Sequence, residues 1–136
     1  MKINGGLSPM CTLMMAVMLG IVARTVKPEL SVAAKEQRIC DLAEALQTMR
    51  AHLDLYRAHH KGSLPPTSSF RSFENALTTE RAHYDPHLKK IPVNPFNGLA
   101  EVRFDGEPAG TGKAGWRLDT QTALFQADNS LEHAVL

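Results

Sequence analysis

The sequence predicts an α+β protein in which one long amino-terminal helix packs on a small three-stranded antiparallel sheet. Two observations support this class. Large apolar residues recur at intervals of three and four from Ile39 to Tyr56, a spacing that places them on one side of a helix. Three short segments of alternating apolar residues follow near the carboxyl end, separated by linkers rich in Gly, Pro and Asp, as is typical of strands. Because so small a sheet is marginal alone, we expect the helix to cover its apolar face.

The length and charge of the chain narrow the classes of function. With 136 residues and a formal net charge of +1, one domain is expected, and no basic cluster indicates nucleic acid as a partner. We find no nucleophile with a histidine and an acid in a familiar arrangement, no phosphate-binding glycine loop and no four-ligand metal motif. The sequence therefore predicts no catalytic residue and no enzyme.

The amino-terminal segment indicates a membrane. We predict a nearly unbroken helix over Leu7–His60, roughly 80 Å long, which is more than a globule of this size covers. Its part Leu13–Ala23 has no charged or hydrogen-bonding side chain, so residues 7–27 are predicted to span a bilayer or to pack in a bundle of identical helices. A buried helix of a soluble core is the alternative. The flanking charges conflict with a periplasmic carboxyl side. Arg24 and Lys27 follow the apolar run whereas Lys2 precedes it, and the side richer in Lys and Arg usually lies in the cytoplasm.

The rest of this helix, residues 29–60, is amphipathic, and Pro28 is expected to kink it. Its apolar stripe is expected to cover the protein's own sheet, with a coiled coil to another protein as the alternative. Gly62 lies just past the predicted end. The stripe consists of Val32, Ile39, Leu42, Leu46, Met49, Leu53 and Tyr56.

In such a straight helix Cys11 and Cys40 lie roughly 43 Å apart. A disulfide needs Cα atoms within about 7 Å. No bridge within one chain is therefore expected.

The carboxyl-terminal part is predicted to begin with a loop and short helix over residues 61–98. Ser69 is expected to cap that helix, and the two prolines and Asn-Gly pair of residues 91–98 indicate a rigid loop. A β-meander over residues 99–128 follows, with strands at Glu101–Phe104, Gly115–Leu118 and Ala123–Ala127 joined by hairpin linkers.

Histidines offer a weak metal signal. His83 and His87 have the spacing of a zinc pair on a helix, but Pro86 between them forbids a regular helical turn. His52, His59 and His60 near the end of the long helix are expected to contact carbonyl groups or water.

Several motifs resemble one family. The stretches Gly6–Leu13 (GLSPMCTL), Ala16–Ala23 and Val26-Lys27-Pro28 resemble the amino terminus of type IV pilins and of type II secretion pseudopilins. The resemblance implies that residues 1–6 form a leader and that a prepilin peptidase cleaves between Gly6 and Leu7. It also implies that Leu7 is then N-methylated, and that Gly20 and Pro28 are the glycine and proline of the assembly helix.

Two positions depart from the family pattern. Cys11 stands at the fifth mature position, where the family has a glutamate that meets the amino terminus of a neighbouring subunit. No basic residue precedes Gly6. Both departures concern processing and polymerisation and leave membrane anchoring untouched.

The second half resembles the globular domain of the major pseudopilin of type II secretion. The residues that carry this likeness are Leu53–Arg57, Leu64-Pro65, Ile91–Gly98 and Gly115-Trp116. The family often holds calcium in its carboxyl-terminal loop, which makes Asp105, Asp119 and Asp128 weak candidate ligands.

The resemblance implies a structural pseudopilin, anchored once in the bacterial inner membrane with residues 28–136 in the periplasm. Its partners would be the lipid bilayer, copies of itself or other pseudopilins, the prepilin peptidase and an inner-membrane secretion platform, in a short filament for protein export. The alternative is an anchored periplasmic binding module that never polymerises, which the Cys11 departure favours.

Overall fold

The computed structural model describes residues 26–79 and 88–136, with side chains of the first helix described from residue 31. Within these ranges helices combine with one three-stranded sheet, which confirms the α+β class. In chain order the elements are α1 (Val26–His59), α2 (Phe70–Thr78), β1 (Val102–Phe104), β2 (Trp116–Asp119), β3 (Leu124–Ala127) and a 3-10 helix (His133–Val135).

Helix α1 has 34 residues, which corresponds to a length of about 51 Å. It includes Pro28 and ends at His59, close to the predicted range of 29–60. The backbone N–H of Gly62 donates to the carbonyl of Arg57 at 2.7 Å, and Gly62 has a φ of +86°. A glycine therefore follows the helix end as predicted, because only glycine adopts this left-handed conformation without strain.

The chain divides into two compact units, the first ending at Glu44 and the second comprising Ala45–Leu136. In the second unit the apolar stripe of α1 is buried as predicted. In the first unit Leu42 is fully buried, but Val32 is 46% exposed, so the predicted stripe is wrong at that residue. The buried stripe residues of the second unit are Leu46, Met49, Leu53 and Tyr56.

The sheet has the order β1-β2-β3 and is mixed. Strands β2 and β3 are antiparallel, as predicted, but β1 and β2 are parallel, with Val102 opposite Trp116. The predicted antiparallel sheet and meander are therefore wrong for this pair. The reason lies in the linker, because Asp105 and Gly106, with φ of +54° and +70°, turn the chain out of β1. Residues 105–115 then cross back to the start of β2 instead of forming a hairpin.

One face of the sheet forms the core of the second unit. Trp116 and Phe125 are at most 1% exposed, and their ring centroids lie 5.5 Å apart.

Ser69 caps α2 as predicted, by accepting a hydrogen bond from the N–H of Ser72 at 3.1 Å. Phe73 of α2 meets Phe104 of β1 edge to face at 5.4 Å, so the short helix packs at the β1 side of the sheet.

No helix among the described residues is long and apolar enough to cross a membrane. The predicted membrane segment, residues 7–27, lies outside the described residues except for its last two positions.

Cys40 is buried in α1 and is disulfide-bonded. The only other cysteine of the sequence, Cys11, lies outside the described residues. A bond to Cys11 of the same chain requires the chain to reverse direction before α1, since the two residues are roughly 43 Å apart on a straight helix. The expectation of no bridge within one chain therefore depends on which chain supplies the second sulfur.

We expect Cys40 to resist alkylation in the native protein and to react after reduction and unfolding. Peptide mapping under non-reducing conditions, with Cys11→Ser as the control, identifies its partner. A bond between two chains is compatible with a straight helix from Leu7. A bond to Cys11 of the same chain would contradict that helix and the predicted membrane segment together.

Replacing Leu46 with aspartate should unfold the second unit. Leu46 is 1% exposed, and an unpaired carboxylate at a buried apolar position should lower the free energy of unfolding by more than about 3 kcal/mol. Thermal unfolding followed by circular dichroism measures the loss. Gln47→Asp at the exposed neighbouring residue is the matched control and should cost less than about 1 kcal/mol. A normal melting curve for Leu46→Asp would contradict the burial of the apolar stripe in the core of the second unit.

Candidate functional site

The proline-rich loop of residues 91–98 is held to the sheet by Asn94, which is fully buried. Its side-chain Nδ2 donates to the carbonyl of Gly115 and to Oδ1 of Asn129, both at 2.9 Å. Its Oδ1 accepts from the backbone N–H of Phe96 at 2.9 Å. All polar atoms of this amide are therefore used inside the protein, and these hydrogen bonds attach the loop to the sheet.

The same chain of amides reaches the carboxyl-terminal 3-10 helix. Asn129 Nδ2 donates to Nδ1 of His133 at 2.7 Å, and His133 is 7% exposed with its ring against Phe96 at 4.1 Å. The Asn129 amide thus accepts from Asn94 through Oδ1 and turns its Nδ2 towards His133. This arrangement joins the proline-rich loop to the end of the described chain.

Asp128 lies at the centre of a cluster of hydrogen-bond donors. It is fully buried, and Arg103 donates to both of its carboxylate oxygens at 2.8 Å. Further donors are Gly110 N–H at 2.9 Å, Thr111 N–H at 3.2 Å, Thr111 Oγ1 at 2.8 Å and Ala114 N–H at 3.3 Å. Burial alone raises the pKa of Asp128, but the hydrogen bonds from Arg103, Thr111 and Gly110 outweigh it and lower the pKa to about 2.

The other two calcium candidates are Asp105 and Asp119. Asp105 directly follows β1, and Asp119 is the last residue of β2. Asp105 accepts from Thr120 N–H at 2.8 Å and Thr120 Oγ1 at 2.7 Å, and these bonds lower the pKa of Asp105. Asp119 accepts from the N–H groups of Thr122 and Gln121, which lower the pKa of Asp119. The Asp119 carboxylate thus closes the turn that follows β2, whereas the Asp105 carboxylate joins the residue after β1 to the residue after β2.

These contacts give the calcium prediction no support. The carboxylate of Asp128 faces a guanidinium group, which already balances its charge. Residues 26–79 and 88–136 contain no group of three or more His, Cys, Asp or Glu side chains that could hold a metal ion.

A cavity of about 180 Å³ lies between α1 and the β2–β3 turn. Arg50 at its edge donates from Nε and Nη2 to the carbonyl of Phe125, at 3.1 and 2.9 Å, and from Nη1 to the carbonyl of Leu136 at 3.1 Å. One arginine therefore joins α1, β3 and the carboxyl-terminal segment. The cavity is lined by Arg50, Leu53, Asp54, Arg57, Ala123, Leu124 and Phe125.

Most of the residues predicted to carry processing and assembly lie outside the described part of the chain. Gly6, Leu7, Cys11 and Gly20 are outside the described residues, as are His83 and His87. Pro28 lies within α1. Of the helix-end histidines, His52 Nδ1 lies 2.8 Å from the carbonyl of Thr48 and His60 Nδ1 lies 2.8 Å from that of Tyr56, in line with the expected carbonyl contacts.

Sequence reasoning missed Asn94, Arg103, Arg50 and His133. Arg103 carried a usable signal, since it stands between two apolar residues of a predicted strand and must point to the opposite face. The other three carried none, because their partners are distant in sequence.

Comparison of this chain with protein-family models, with curated proteins and with solved structures finds no match.

Replacing Asp128 with asparagine should destabilise the protein by about 3 kcal/mol or more at neutral pH. The substitution leaves Arg103, whose side chain is 19% exposed, without its counter-charge, and breaking a buried ion pair on one side is costly. Urea unfolding measures the loss. The matched control is Glu107→Gln, because the Glu107–Lys113 pair is exposed by 64% and 68% and should contribute less than about 1 kcal/mol.

Asp128 should also make stability depend on pH in the acid range. Its pKa in the folded protein, about 2, is below the usual 3.8, so its stabilising contribution is complete above the usual value and is lost as the pH falls towards 2. The stability difference between the natural protein and Asp128→Asn should therefore narrow in that window. A constant difference from neutral to acid pH would show that the carboxylate charge does not stabilise the fold.

Proposed function

We propose that the protein is a membrane-anchored structural subunit of the pseudopilin kind, which assembles through its amino-terminal helix into a short filament for protein export. The anchor is residues 7–27, in the bacterial inner membrane, and the unit that follows lies in the periplasm. Its partners are copies of itself or related subunits, a prepilin peptidase and a secretion platform.

The observation that carries the proposal is the form of α1. This helix has 34 residues, and its carboxyl-terminal part supplies the buried face of a small helix and sheet unit. In the sequence it is preceded by the uncharged run Leu13–Ala23. An apolar segment that leads into a helix, whose other end packs in a compact unit, suits a subunit anchored in a membrane at one end.

The use of polar residues is a second support. Asp128, Arg103, Asn94 and Asp105 direct their side chains to backbone groups and to each other. These contacts shape loops, and a subunit that works by packing needs shaped surfaces more than reactive groups.

The alternative is a periplasmic module that stays anchored and binds a partner without polymerising. Cys11 favours it, because the residue replaces the glutamate that pairs with a neighbouring amino terminus in the family. An unpaired carboxylate is costly in lipid, so a protein that does not polymerise gains by losing it.

Processing separates the two functions. We expect the mature chain, isolated from membranes of cells that contain a prepilin peptidase, to begin at N-methyl-Leu7 when its intact mass is measured. Gly6→Leu should block cleavage, whereas Gly5→Ala, one residue earlier, should not. An intact chain beginning at Met1 in such cells would contradict the filament subunit and favour the anchored module.

A further inference from the structure

The cavity beside α1 is too small for an ordinary ligand. Its volume is about 180 Å³, whereas sites for small molecules usually enclose about 300 to 1,000 Å³. Its walls are apolar at Leu53, Ala123, Leu124 and Phe125. A space of this size and lining fits one apolar side chain.

The charged residues at the cavity indicate which group should stand next to the inserted apolar side chain. Arg57 donates from Nε to the carbonyl of Gly62 at 3.3 Å, which orients the guanidinium, and its two Nη atoms have no partner among the described residues. Two such nitrogens in one plane suit a carboxylate. The Arg50 guanidinium is already occupied by the carbonyls of Phe125 and Leu136. Asp54 is exposed and also has no described partner, so it can accept from a backbone N–H.

The surface of the same protein offers a matching segment. Leu131 is 74% exposed, and its neighbour Glu132 is exposed and forms no ion pair with a described residue. Val135 is 85% exposed, but neither of the side chains beside it, Ala134 and Leu136, is acidic. Among the exposed large apolar residues of the described chain, only Leu131 is next to an aspartate or glutamate. These residues are Val32, Val93, Leu99, Leu124, Leu131, Val135 and Leu136.

We propose that Leu131 of one copy inserts into the cavity of a second copy, where the carboxylate of Glu132 binds Arg57. The cavity lies at the start of β3 and Leu131 follows the end of that strand. Because the two surfaces are different patches of the chain, the contact is heterologous and repeats from copy to copy, in a ring or in an open row. The inference rests on the membrane anchoring of the proposed function and goes beyond that function, since it assigns an assembly contact to the globular unit.

One inserted side chain with one ion pair is a small contact. Stable interfaces bury about 1,200 to 2,000 Å², so this one needs a high local concentration. Anchoring in a membrane supplies that concentration. The contact therefore forms between membrane-anchored copies and is lost in dilute detergent.

The test uses the full chain in membrane vesicles, treated with an amine-reactive cross-linker and separated under reducing conditions. The natural protein should give a ladder of cross-linked copies. Glu132→Arg alone and Arg57→Glu alone should each reduce the ladder at least about tenfold, because each places like charges together. Neither substitution changes the number of lysines, so the chemistry of cross-linking is unaffected.

Mixing the two variants in one membrane should restore the ladder, since the arginine introduced at position 132 of one chain then meets the glutamate introduced at position 57 of the next. Glu101→Arg reverses an exposed charge away from both surfaces and is the matched control. Leu131→Ala should weaken the ladder with both charges intact, and melting curves verify that each variant folds.

An unchanged ladder in the single variants, or no recovery in the mixture, would overturn the docking of Leu131. So would a natural protein without a ladder. Mature chains that begin at N-methyl-Leu7 in the same membranes would leave the proposed function standing, so the two failures are distinguishable.

Discussion

The buried carboxylate of Asp128 is the constraint on which the carboxyl-terminal unit depends. A charge removed from water must be matched by donors, and Asp128 collects them from β1 through Arg103 and from the linker through Gly110, Thr111 and Ala114. Arg103 in turn donates to the carbonyls of Asp105, Glu107 and Pro108. The linker is thereby wrapped around one ion pair, which is why it crosses the sheet and delivers β2 parallel to β1.

The two faces of the sheet consequently have different chemistry. One face carries Trp116, Leu118 and Phe125 and forms an apolar core, where packing decides stability. The other carries Arg103 and the row of residues paired with it, Arg117 and Gln126. On that face hydrogen bonds decide the course of loops, and Gln126 donates to the carbonyl of Ala134 to hold the carboxyl-terminal segment.

This division is consistent with the proposed role as a structural subunit. The polar contacts are spent on fixing loops, while the small cavity beside Arg57 and the exposed side chain of Leu131 remain as shaped features at opposite ends of β3. If copies meet through them, the globular units add a contact to any made by the amino-terminal helices. In the proposed membrane-anchored subunit, two weak contacts of different kinds would then act together, because tethering makes weak contacts effective.

The sequence by itself determined the elements that depend on local chemistry. Helix α1 and its end before Gly62, the Ser69 cap, the approximate strands and the buried stripe from Leu46 to Tyr56 follow from periodicity and from residues that cap or turn the chain. It did not determine that β1 lies parallel to β2, nor that Asp128 binds Arg103, nor that Asn94 reaches His133 through Asn129. Those features join residues distant in sequence, and their free energy exists only once the sheet has brought donor and acceptor together.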